Sequence, residues 1–186
     1  GVFYYNTGDP RSKQLHAATV AYQHRERLPD IERLQTEAYY HWAVTEDMVQ
    51  AERSYRAVLA RRPDDITSIN NLSLVFARRR EWAAAETLLV RGVGVDSTVR
   101  SFQVNLVEAL AAQHKVDEAD AATERMARLV PTAGTVIPGY RWNVRAMRRQ
   151  WDSAAAVARA AGSLARQRIT TSASPGGRAG RRPAIG

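Results

Sequence analysis

The sequence contains no cysteine. That excludes disulfide staples, thiolate nucleophiles and Cys-ligated zinc, and leaves the redox compartment open. It also lacks any run near the ~18 uninterrupted apolar residues that a membrane-spanning helix needs. No basic segment followed by an apolar one opens the chain as a secretory signal would, so a cytoplasmic location is the expectation. Lysine is nearly missing: 2 Lys stand against 25 Arg, a bias that GC-rich coding produces and that weakens any claim that the Arg were placed to meet phosphates. Acid is scarce at one end only. Residues 1–137 carry 17 Lys+Arg and 18 Asp+Glu, whereas 138–186 carry ten Arg and the single acid Asp152. The formal charge of +8 is therefore an excess of the last quarter. The chain starts at Gly1 rather than Met and runs straight into Phe3-Tyr4-Tyr5. A piece of a longer polypeptide would look like this, with 1–10 finishing a preceding helix.

What is present is a repeat. Ala17, Ala51, Ala85 and Ala119 share a 34-residue register, and so do Pro29, Pro63, Ser97 and Pro131. Three of the seven prolines thus fall in one row. Ala38, Leu72 and Leu106 form a third row, Trp42, Phe76 and Leu110 a fourth, Tyr55 and Leu89 a fifth. Apolar residues recur three and four apart, which predicts amphipathic helices at about 11–27, 31–45, 48–61, 65–79, 82–94, 98–113, 117–129, 135–149 and 152–167. Asp30, Asp64 and Asp117 suit the first-turn N–H groups that open such helices. The row prolines end each second helix, because the residue before Pro resists the α conformation. A small residue at the Ala row lets paired helices approach, and the larger rows fill the space beside it. One pair cannot bury its stripe alone, so stacking on the next supplies the core. Trp151-Asp152-Ser153-Ala154 echoes Trp82-Ala83-Ala84-Ala85 one residue out of register, which marks a degenerate final pair.

This pattern of small, aromatic and Pro rows resembles the tetratricopeptide repeat. The resemblance implies an all-α, right-handed α-solenoid of stacked antiparallel helix pairs over 11–131, with degenerate capping helices over 132–169. Residues 170–186, TTSASPGGRAGRRPAIG, have almost nothing to bury and are expected to be a disordered tail. Within the repeats, LPDIERLQTEAYYHW and RRPDDITSINNLSLVFARRREW in 28–89 are similar to the tetratricopeptide regions that follow the kinase domain of bacterial eukaryote-like serine/threonine protein kinases. That resemblance implies a C-terminal regulatory or docking region of a signalling protein. Related arrays also occur in bacterial transcriptional regulators.

No catalytic set can be nominated, and no cofactor or metal is expected. There is no Gly-rich phosphate loop on a strand, no strand Lys and no DFG triplet; His24-Arg25-Glu26 only mimics a catalytic loop. Gly92-Val93-Gly94 follows a helix, and Gly94 is better taken as a helix stop than as part of a nucleotide loop. His16, His24, His41 and His114 form no metal-binding pair. Asp64-Asp65 after Pro63 suits a helix start.

Function should then lie on the concave face made by the first helix of each pair. The resemblance puts Arg33, Thr36, Tyr40, Asn70, Asn71, Leu74, Asn105, Glu108 and Asn143 on or near it. Asn71 and Asn105 share the repeat register, and such amides can both donate to and accept from an extended peptide backbone. The alternative is that they brace neighbouring helices. The cationic clamp that some tetratricopeptide proteins use for acidic tails is not matched, since Thr36, Glu37 and Val104 occupy its places. Arg78-Arg79-Arg80 closes a first helix, where cations complement the dipole. Arg141, Arg145, Arg148 and Arg149 line one helix face and, with Arg178, Arg181 and Arg182 beyond, offer a patch for an acidic partner, nucleic acid or anionic lipid. A solvated capping face is the commoner reason for such a run. A protein or peptide partner in the groove is the first expectation; nucleic acid on the basic quarter and self-association are the others.

Overall fold

The structure, a computed structural model, describes residues 11–148 and 157–163. The expected end of a helix at 1–10, Arg149, the Trp151–Ala154 echo, most of the last helix and the tail at 170–186 lie outside the described residues. The apolar rows fold as spaced. Helix α1 (Arg11–Gln23) is followed by a short 3-10 turn at Arg25–Arg27. Then come α2 (Asp30–Tyr40), α3 (Met48–Arg61), α4 (Ile66–Arg78), α5 (Trp82–Val95), α6 (Arg100–Ala112), α7 (Val116–Leu129) and α8 (Ile137–Met147). Residues 157–163 are helical, and the described residues contain no strand. Each helix packs on the next in sequence, and α4 also touches α6. This is an all-α solenoid in which α2, α4, α6 and α8 are the first helices of successive pairs.

The rows occupy the positions their chemistry demands. Ala51, Ala85 and Ala119 have no exposed surface, and Tyr55 and Leu89 almost none. Ala38, Leu72, Leu106, Phe76, Leu110 and Val144 join them in one continuous core. Two members depart from their rows: Ala17 is only half-buried while Ala18 beside it is covered, and Trp42 is less buried than Phe76 and Leu110. Trp42 lies in a π-helical turn, His41–Thr45, that ends α2. It is half-buried there, between the main core and a smaller cluster of Ala18, Tyr39 and Ala43. A π turn carries one extra residue per turn, so the side chains after Tyr40 rotate relative to their counterparts in α4 and α6.

The connections show a periodicity that residue types conceal. Glu46, Arg80 and His114 adopt left-handed backbone at φ 55°, 60° and 57°, and they stand 34 residues apart. The turns that join α2 to α3, α4 to α5 and α6 to α7 therefore each reverse through a left-handed, non-glycine residue. After α4 and α6 the turn closes by bonds from Glu81 N–H to Phe76 C=O (2.9 Å) and from Lys115 N–H to Leu110 C=O (3.0 Å), which satisfies carbonyls the helix end would orphan.

Three expectations are corrected. Asp64 does not cap α4; Asp65 does, accepting from Ser68 N–H at 2.7 Å. Asp30 and Asp117 lie inside the first turns of α2 and α7, where they complement the dipole without capping. Asp47 is the cap of α3, bonded to Val49 and Gln50 N–H. Gly94 is no stop, since α5 runs through it to Val95. Gly92 instead sits where a Cβ would meet the buried Phe102 ring at 2.8 Å, so its lack of side chain lets α6 come close to α5.

Candidate functional site

The first helices α2, α4, α6 and α8 each bury one face and leave another half-open. On that open face three of the expected residues come together. Asn105 Nδ2 on α6 donates to Asn70 Oδ1 on α4 at 3.1 Å. Asn70 Nδ2 donates in turn to Asn71 Oδ1 at 3.2 Å. All three amides are half-buried. Behind them Tyr55 from α3 is buried, and burial pushes its phenol well above the ordinary range, while the polar side chain of Asn71 works the other way. The asparagines therefore form a chain that braces α4 against α6. Each amide can make up to about four hydrogen bonds, and the bonds between them leave donors and acceptors over.

The remaining residues are dispersed. Arg33 is held by acids of its own helix, Glu37 at 3.3 Å and Asp30 at 3.6 Å. Thr36 and Leu74 are half-buried on α2 and α4. Tyr40 stacks on Tyr22 of α1 with ring centroids 3.9 Å apart, and the Arg25 guanidinium lies 4.1 Å from the Tyr22 ring centroid. Glu108 is exposed on α6 and accepts from the Tyr140 hydroxyl on α8 at 2.7 Å. Burial and this carboxylate together push the Tyr140 phenol far up. Asn143 is exposed but shares its 34-residue register with the buried Val75 and Ala109. That register is one helical turn beyond the one that Asn71 and Asn105 occupy.

Two Arg of the α8 basic face are paired with acids of α7. Arg141 makes a bidentate pair with Glu124 (2.7 and 2.6 Å), and Arg148 reaches Asp120 at 2.8 Å and Asp117 at 2.5 Å. Asp117, Asp120 and Glu124 are three and four apart on α7, so they form an acidic stripe that receives the Arg stripe of α8. The hydrogen bond from Arg141 holds the Glu124 carboxyl below its ordinary value. Arg145 acts on Glu124 through charge alone. The acidic stripe was readable at helical spacing, as was Gln35, whose amide binds both oxygens of Asp65 (3.2 and 3.1 Å) and ties α2 to the start of α4. Two members of the Arg78–Arg80 run are paired likewise, Arg78 on Glu46 (2.9 Å) and Arg79 on Glu52 and Glu81 (2.5 and 2.6 Å).

Among the described residues no group of three or more His, Cys, Asp or Glu could hold a metal ion, and no helix is long and apolar enough to cross a membrane. The geometry provides a polar, amide-centred face on a stack of packed helices. Its architecture is that of the tetratricopeptide-type helical repeats.

Known structures agree on that architecture. No family model and no curated protein matches the sequence. The fold is similar to an O-GlcNAc transferase mutant from Thermobaculum terrenum, at 24% identity and TM-score 0.53, over 62% of this chain and 22% of that one. It is also similar to the TPR2B domain of yeast Sti1 in a complex with pHsp70, at 17% identity and TM-score 0.50, over 68% of this chain and 96% of that one. The chain thus spans about a fifth of the transferase chain's length. At such identities the likeness concerns the fold.

Proposed function

We propose that the chain is a non-enzymatic scaffold that holds an extended segment of a partner protein along the open face of α2, α4, α6 and α8. The observation that carries this reading is the hydrogen-bonded chain Asn105–Asn70–Asn71 across two neighbouring first helices. An extended backbone alternates N–H and C=O, and side-chain amides that both donate and accept can follow it without regard to its side chains. Their mutual bonds hold the amides in place before a ligand arrives, which reduces the ordering cost of binding. The similarity to an Sti1 domain seen in complex with pHsp70 supports the same reading. The resemblance of 28–89 supports placing the scaffold as a docking region of a bacterial serine/threonine kinase, whose catalytic parts would lie in sequence outside this chain. The rival reading, nucleic acid held by the basic quarter, loses Arg141 and Arg148 to the α7 acids.

The test is binding of the full chain to an array of short extended peptides, compared with an Asn71→Ala/Asn105→Ala variant and with a chain lacking 170–186. Two lost hydrogen bonds of about 0.5–1.5 kcal/mol each should weaken binding by roughly tenfold or more, while the tail deletion leaves it intact. If the deletion abolishes binding and the double Asn variant does not change it, the groove reading fails.

A further inference from the structure

One register position runs along the open face as Tyr40, Leu74, Glu108 and Trp142, each 34 residues after the last. Its chemistry changes from one end to the other. Tyr40 is covered by Tyr22, and Leu74 is half-buried. At the far end both members stand in solvent. Glu108 is exposed, and Trp142, 41% exposed, is the only aromatic among the exposed large apolar side chains of the described residues. A lone exposed apolar residue is ordinary; the carboxylate in the same row makes this one informative. Glu37, also on the open face, meets Arg33 and Arg25. Glu108 forms no ion pair among the described residues; its Oε1 accepts from Tyr140. Arg100, whose charge acts on Tyr140, lies about two turns before Glu108 on α6.

We infer that Glu108 and Trp142 form a subsite for a Lys or Arg side chain of the segment held in the groove, the carboxylate pairing with the cation and the indole face covering it. This rests on the groove reading above and adds the chemistry of the partner. The Tyr140 bond to Glu108 ties α8 to α6, and Glu108 and Trp142 hold the same register position on these two helices, so one long cationic side chain lying across both can meet the two groups. An exposed ion pair alone contributes little in water. An indole beside it adds a cation–π contact and displaces solvent. The Tyr140 bond fixes the carboxylate in advance, so less freedom is lost on binding. An acidic residue at that place would meet repulsion.

The experiment uses the full chain on an array of short peptides in which one position is set in turn to Arg, Lys, Gln, Leu or Glu. Arg and Lys should be preferred over Gln by about tenfold at one position. Glu108→Gln, which keeps an acceptor for Tyr140, and Trp142→Ala should each cut that preference to below about threefold. Asn71→Ala/Asn105→Ala should instead weaken all peptides alike. Peptide binding without a cation preference, or a preference that survives Glu108→Gln, overturns the subsite and leaves the groove standing. If no peptide binds, both readings fall.

Discussion

Gly92→Ala and Gly94→Ala make the same chemical change two residues apart in α5, and they should move stability in opposite directions. In both, alanine replaces the poorest non-proline helix former, a gain of up to about 1 kcal/mol in a helix interior. A Cβ on Gly94 meets nothing within 4 Å, so most of that gain should appear, reduced somewhat by the closeness of the helix end. A Cβ on Gly92 would lie 2.8 Å from Cε1 and Cζ of Phe102 and 3.0 Å from Cδ1, where carbon atoms prefer about 3.5–4.0 Å. The ring must therefore yield by roughly an ångström. Phe102 has no exposed surface and belongs to the main core, so it cannot swing into water. Overpacking of this kind costs about 1–3 kcal/mol. After the helix gain is subtracted, Gly92→Ala should lose about 0–2 kcal/mol and fall about 1–3 kcal/mol below Gly94→Ala. Urea titrations followed by helical circular dichroism read the difference directly. In a Phe102→Leu background the penalty at Gly92 should shrink, which ties the loss to that ring. If Gly92→Ala raises the midpoint as much as Gly94→Ala does, the close approach of α5 and α6 is wrong.

Arg80→Gly should raise stability by up to about 1 kcal/mol, because left-handed backbone costs a side-chain-bearing residue about 1–2 kcal/mol and glycine's added freedom in the unfolded chain returns part of that; a lower melting temperature refutes it. Phe76→Ala should cost about 3–5 kcal/mol in a denaturant titration, and Trp42→Ala, half-buried in the π turn, less; the reverse order would put Trp42 at the centre of the core. Acid should weaken the α7–α8 contact. Glu124 is held below its ordinary value of 4.5 by the Arg141 hydrogen bond first and then by charge, so its contribution is whole above about pH 4.5 and is lost as pH falls through the lower folded value. Stability measured against pH should therefore show a shallower acid limb in Glu124→Gln, and identical limbs would show that the pair contributes nothing.

Much of the fold was legible along the chain. The small row Ala51, Ala85, Ala119 and the large rows through Leu72, Phe76, Leu106 and Leu110 were assigned to the core by spacing alone, and they are there. Helix limits were placed to within a few residues. The details that slipped were local alternatives of nearly equal energy: Asp65 rather than Asp64 as cap, and a helix that continues through Gly94. Trp42 keeps its register but is only partly buried, since it lies in a π turn that interrupts the 3.6-residue rhythm at the end of α2.

The candidate site was legible only as a set of residues. Asn70, Asn71 and Asn105 could be put on one face, but whether their amides would stay free or bond to one another depends on the distance between α4 and α6. The Arg stripe of α8 was visible as well, and so was an acidic stripe on α7 that was not matched to it. What the amino-acid order determined by itself is the repeating unit, its helices and its buried rows, because helical periodicity and turn chemistry are local and recur every 34 residues. What only tertiary structure decided is the pairing of the polar side chains: Asn105 with Asn70, Tyr140 with Glu108, Arg141 with Glu124. Long, flexible, hydrogen-bonding groups have many partners within reach, and the packing of one helix on the next selects among them.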